Sequence, residues 1–146
     1  MKDDLTTSLL CTALMRIGTR MATEFDQKFA RLGLTQAQFR VLLAVWKAER
    51  GSIAPSTLAE QLLIERATVS VLTTRLVERG WLARIPGTNR RTFSLVLTDT
   101  GTAKLHEALP PAVALADEKM TGFPREDLHQ TLMLLEALEV RLRKGE

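Results

Sequence analysis

The stretch from Leu34 to Gly101 limits the fold more than any other part of the chain. It reads LTQAQFRVLLAVW, then STLAEQLLIERATVSVLTTRLVERG, then WLARIPGTNRRTFSLVLTDTG. Apolar residues recur at three- and four-residue steps in the first two pieces, the period of half-buried helices. In the third, apolar and polar residues alternate on either side of a Pro-Gly turn, the signature of a hairpin. Helix, short helix, second helix and hairpin make a winged helix-turn-helix. The expected fold is therefore mainly α with a small β-hairpin wing, flanked by helices from both termini.

The local signals are specific. A first helix is predicted from about Leu5 to Leu32, with an apolar stripe of Leu10, Leu14, Ile17, Met21, Phe25 and Leu32, stopped by Gly33. Thr35 and Gln38 have capping-box spacing, and Phe39, Leu42, Leu43 and Trp46 are expected to face inward before Gly51 ends the helix. Residues 52–54 suit a short strand, and Ser56 or Thr57 is expected to cap a brief helix. The next helix starts near Glu65 or Arg66 and stops at Gly80. Strands at 81–85 and 92–97 follow. Thr98 or Asp99 opens a helix in which Pro110-Pro111 predicts a kink or break. Pro124 suits the first turn of the last helix, with Glu126 and Asp127 beside its positive end and Leu128, Leu132, Leu135, Leu138 and Leu142 along one face.

This divides the chain into a lobe at 35–98 and terminal helices at 1–34 and 99–146. The terminal stripes are too long for the small central core to cover, so a homodimer built by these helices is expected. One cysteine excludes an intrachain disulfide. No apolar run approaches the roughly 18 residues needed to span a bilayer, and the first twenty residues do not read as a signal peptide; a cytoplasmic location without membrane association is expected. The two histidines, His106 and His129, lie on different predicted helices without ligand spacing. No phosphate loop or nucleophile motif occurs, so no catalytic residue, metal or cofactor is expected.

Charge points to nucleic acid. Residues 50–98 carry seven arginines and three glutamates, a net +4, whereas residues 99–146 are net −3. The outer face of the second lobe helix holds Ala67, Ser70, Val71 and Thr74, flanked by Arg66, Thr68, Arg75 and Glu78. Small hydroxyl and methyl groups suit base edges, and arginines suit phosphate or guanine. Asn89, Arg90 and Arg91 crowd the hairpin tip, where an arginine fits a narrow minor groove. Ser56 and Thr57 are further phosphate-contact candidates. The expected partner is double-stranded DNA, read as two half-sites by a dimer; the alternative is a winged lobe that binds protein and not DNA.

These pieces, with the Leu97-Thr98-x-x-Gly101 exit from the wing, resemble the MarR family of winged-helix regulators over nearly the whole chain. The resemblance implies a dimeric repressor on a pseudo-palindromic operator, released by a small aromatic or lipophilic effector lodged between the terminal helices and the lobes; Met15, Phe25 and Trp46 are the pocket candidates. Two departures stand out. The family's wing aspartate is Asn89 here, which can still hydrogen-bond the arginine beside it, and a frequent arginine of the recognition helix is Val71. One branch senses organic hydroperoxides through a first-helix cysteine, which aligns with Cys11. That branch's tyrosines fall on Met15, Phe25 and Gln36, and the chain contains no tyrosine. Thiol sensing by Cys11 is thus the alternative to ligand-controlled release.

Overall fold

The computed structural model describes residues 4–144; the outermost residues of the two terminal segments, 1–3 and 145–146, lie outside it. The elements are α1 (Thr6–Phe29) with a 3-10 turn (Ala30–Leu32), α2 (Gln36–Lys47), β1 (Ser52–Ile53), α3 (Pro55–Leu62), α4 (Arg66–Glu78), β2 (Leu82–Pro86), β3 (Phe93–Leu97), α5 (Asp99–Met120) and α6 (Arg125–Lys144). The strands form an antiparallel sheet in the order β1-β3-β2, with Leu82 opposite Leu97 and Pro86 opposite Phe93.

Helix α2 begins as its spacing predicts. The Thr35 hydroxyl accepts from the Gln38 amide at 3.1 Å, and the Gln38 side chain accepts from the Thr35 amide at 3.1 Å. Its inner face is Gln38, Val41, Leu42 and Val45, at i, i+3, i+4 and i+7. Trp46 lies one step beyond that stripe and is 49% exposed, contrary to its expected inward position. Helix α3 is not capped by Ser56 or Thr57. Ala54 is its N-cap, without a side-chain bond, and Pro55 takes the first helical position, where its missing N–H costs nothing. Helix α5 runs unbroken through Pro110 and Pro111. Two carbonyls lose their usual partners there, but Leu105, Ala108, Ala112 and Leu115 are buried on both sides of the pair and hold the helix to its neighbours.

The core sits in the lobe and on the first half of α5. Phe29, Leu42, Leu58, Leu76, Leu82, Leu95 and Leu105 are fully enclosed, and Phe29 stacks obliquely on Phe39 at 4.8 Å. Helix α1 buries Phe29 in it and packs Phe25 against its edge, while the Leu10 and Ile17 of its expected stripe stand open. On α6, Leu132 and Leu142 are likewise exposed.

The junction of wing and α5 is tightly built. Thr98 caps α5 by accepting from the Gly101 amide at 3.0 Å, and its hydroxyl donates to the Gly80 carbonyl. The Thr98 amide donates to the Trp81 carbonyl at 3.2 Å. Gly101 lies so close to that carbonyl that an added Cβ would fall inside its oxygen, 2.8 Å from the carbon and 3.0 Å from Cα. The Thr-x-x-Gly spacing at the exit from the wing therefore has a steric cause.

Candidate nucleic-acid interface

Helix α4 buries Val69, Thr73 and Leu76. The Thr73 hydroxyl is satisfied inside the lobe by donating to the Val69 carbonyl at 2.8 Å. The opposite face presents Arg66, Ala67, Thr68, Ser70, Val71 and Arg75 to solvent. Val71 is 55% exposed, an apolar side chain left open in the middle of a polar face.

A cleft of about 420 Å³ opens between this face, the start of α3 and the wing. Ser56, Arg66, Ser70 and Arg91 line it, four residues that the sequence had singled out from three separate segments. Arg84 of β2 joins them and was not anticipated. Its Nη2 donates to the Thr74 hydroxyl at 3.1 Å, and its guanidinium lies over the Phe93 ring at 5.2 Å. Thr74 is thus half-buried and engaged in holding Arg84. The available signal was a cation inside a short apolar strand, but its direction depends on the twist of the wing against α4. Arg66, Arg84 and Arg91 bring three positive charges to one cleft whose lining includes no carboxylate, and none of them forms an ion pair among the described residues. Such a grouping repels itself unless an anion neutralises it.

At the wing tip the Asn89 side chain accepts from the Arg91 backbone amide at 2.9 Å, while the Asn89 carbonyl accepts from the Thr92 amide at 3.3 Å. Asn89 therefore shapes the turn and does not hold the arginine's guanidinium as expected. Arg90 and Arg91 are exposed. Thr57 points elsewhere, lining a shallow depression with Lys47, Glu49 and Arg50.

The three effector-pocket candidates are not brought together. Phe25 lines a cleft of about 360 Å³ between α1 and α2 with Met21, Ala22, Gln36, Phe39 and Arg40. Met15 is 65% exposed, and Trp46 packs edge-on to His106 at 6.3 Å. Cys11 is an exposed free thiol on α1. Among the described residues no helix is long and apolar enough to cross a membrane, and no cluster of His, Cys, Asp or Glu could hold a metal ion.

The sequence profile of the MarR family matches residues 32–91, the whole of α2 through the wing tip. An uncharacterized HTH-type transcriptional regulator of Bacillus cereus is 32% identical over 117 residues, covering 78% of this chain and 75% of its own. The chain belongs to the MarR family. It is accordingly a winged helix-turn-helix DNA-binding transcriptional regulator and not an enzyme. The MarR fold extends to the terminal helices. A cysteine-to-serine variant of Escherichia coli MarR complexed with operator DNA superposes with a TM-score of 0.78 at 21% identity, covering 93% of this chain and 98% of that one. CouR from Rhodococcus jostii RHA1, bound to p-coumaroyl-CoA, superposes with a TM-score of 0.80 at 18% identity, covering 94% and 93%.

Proposed function

We propose that this MarR-family chain is a homodimeric repressor that binds a pseudo-palindromic operator and is released by a small aromatic or lipophilic ligand. The observation that carries the DNA-binding geometry is the cleft in which Arg66, Arg84 and Arg91 converge without a carboxylate. Helix α4 enters the major groove through Arg66, Thr68, Ser70, Val71 and Arg75, and Arg91 with Arg90 reaches the adjoining minor groove. Arg84 and Ser56 meet the phosphates between them. Two such lobes read half-sites with centres ~34 Å apart.

The dimer reading rests on the apolar side chains left open on the terminal helices. Leu9, Leu10, Ile17, Val113, Phe123, Leu132, Met133 and Leu142 are all more than half or nearly half exposed in the single chain, a patch that a second copy would cover. Residues 1–34 and 99–146 are thus the dimerisation part, and 35–98 the reading lobe. The effector reading rests on the cleft between α1 and α2, walled by Met21, Phe25 and Phe39 with Arg40 and Gln36 as polar groups. CouR, similar in fold, was crystallised with an aromatic acyl thioester.

Selection of duplexes from a randomised library, followed by fluorescence anisotropy at two salt concentrations, tests the proposal. A recovered palindrome bound by a dimer, with affinity falling steeply in salt, is expected. Failure to enrich any duplex at low salt would favour a protein-binding lobe.

A further inference from the structure

The chain carries a junction of two cations at the end of α1 that DNA contact leaves unexplained. Arg79 is the C-cap residue of α4, and its Nη1 donates to the Gly33 carbonyl. Lys104 of α5 donates through Nζ to the Leu32 carbonyl at 3.2 Å. The acceptors are the last residue of the 3-10 extension of α1 and the Gly33 that caps it, where carbonyls lack helical partners and the helix dipole is negative. Both cations also sit over the Trp81 ring, Arg79 at 4.0 Å and Lys104 at 5.4 Å from its centroid.

Trp81 is only 6% exposed and is tied on every side. Its amide donates to the Leu76 carbonyl at 3.0 Å at the end of α4, and its carbonyl receives the Thr98 amide at the start of α5. The ring therefore marks the point where α4, the wing and α5 meet, and the two cations fasten that point to α1. The side chain of Arg79 also fills the space beside Gly33, whose φ of +64° turns the chain sharply there; a Cβ on Gly33 would lie 3.0 Å from the guanidinium. Lys104 is paired with Glu107 at 3.0 Å, whereas Arg79 has no carboxylate partner among the described residues, so the Gly33 carbonyl is its main anchor. Phe25, in the cleft between α1 and α2, is seven residues from Leu32, ~10 Å along a helix.

We propose that Arg79 and Lys104 are positioning residues for DNA recognition: a two-cation latch that fixes the α4–wing unit to the end of α1, so that the tilt of α1 sets the pitch of the recognition helix. The proposal rests on the DNA-binding reading above. A latch that positions α4 without touching DNA affects affinity but not the number of phosphates neutralised.

The test uses Arg79→Gln, Lys104→Gln and Arg79→Lys in the full chain, with a library-selected duplex as probe. Arg79→Gln is expected to bind it about tenfold more weakly, within the range of coupling between sites, with the same slope of affinity against salt. Amide exchange at residues 30–34 should accelerate, and Arg79→Lys should restore most of both. Lys104→Gln, reaching the same turn from α5, should act in the same direction and serves if Arg79→Gln does not fold. Unchanged affinity and exchange in a folded variant overturn the latch. A salt slope lowered by about one with exchange unchanged also overturns it, since Arg79 would then be a phosphate contact. A parent protein that selects no duplex refutes the DNA reading and with it the positioning role, whereas a parent that binds while the variants leave affinity and exchange unchanged refutes the latch by itself.

Discussion

Gly101→Ala should destabilise the protein although it places a better helix former inside a helix. Gly101 lies in the first turn of α5, where alanine is intrinsically favoured by ~1 kcal/mol. Against this, the new methyl would meet the Trp81 backbone, with the carbonyl carbon at 2.8 Å and Cα at 3.0 Å. A carbon in contact with a carbonyl oxygen needs ~3.3 Å, so either α5 or the wing base must shift by about an ångström. The obstacle is backbone, and no rotamer change relieves it. Overpacking of this kind costs ~1–3 kcal/mol. The shift also loosens the Thr98 amide from the Trp81 carbonyl, a bond of 3.2 Å, at a further ~1 kcal/mol. The net expectation is a loss of ~1–3 kcal/mol after the propensity gain. Gly18 in α1 is the control, because a methyl added there would meet nothing in the chain within 4 Å; Gly18→Ala should gain ~0.5–1 kcal/mol. Urea unfolding of both variants at one fixed protein concentration separates the two effects. A Gly101→Ala protein as stable as the parent would refute the steric account of the Thr-x-x-Gly spacing.

Thr35→Ala should cost ~1 kcal/mol by removing one half of the α2 capping box, read in the same unfolding assay; no loss would mean that the neighbouring Asp26 carboxylate, which accepts from the Gln36 amide at 2.7 Å, caps the helix alone. Arg91→Ala should weaken DNA binding and lower the salt slope by about one, and Arg84→Ala should do the same while leaving sequence preference intact; an unchanged slope for either, measured by anisotropy, would remove it from the interface. Cys11→Ser should leave DNA binding unaltered under reducing conditions. Peroxide-induced release from DNA that disappears in Cys11→Ser would reverse the assignment of effector control and make the thiol the sensor.

Features set by near neighbours were legible in advance. The capping box at Thr35 and Gln38 involves groups three residues apart, and the ends of α4 and the short β1 follow from Gly80, Gly51 and the residues around them. The misreadings share a cause. Ser56 and Thr57 have the right chemistry for a cap, but the first helical position was already taken by Pro55. Trp46 is apolar enough for the core, yet Val41 and Val45 occupy the stripe that faces it. Of the kink or break expected at Pro110-Pro111, the break does not occur, because both flanks of the pair are packed.

Periodicity, turn residues and the distribution of arginine were enough for the element order, the winged lobe and the basic face, because each arises from interactions spanning a few residues or from charge summed over a segment. Which arginines share a cleft was settled by contact between distant segments, as where Arg84 meets Thr74 across the gap between wing and helix; Asn89, for its part, turns to the Arg91 backbone amide and not to the guanidinium. The same holds for the end of α1, where Arg79 lies 46 residues from Gly33 and Lys104 72 from Leu32. Such pairs leave no periodic trace along the chain, since a hydrogen bond depends on where folded elements bring a donor and not on how far apart the residues stand in sequence.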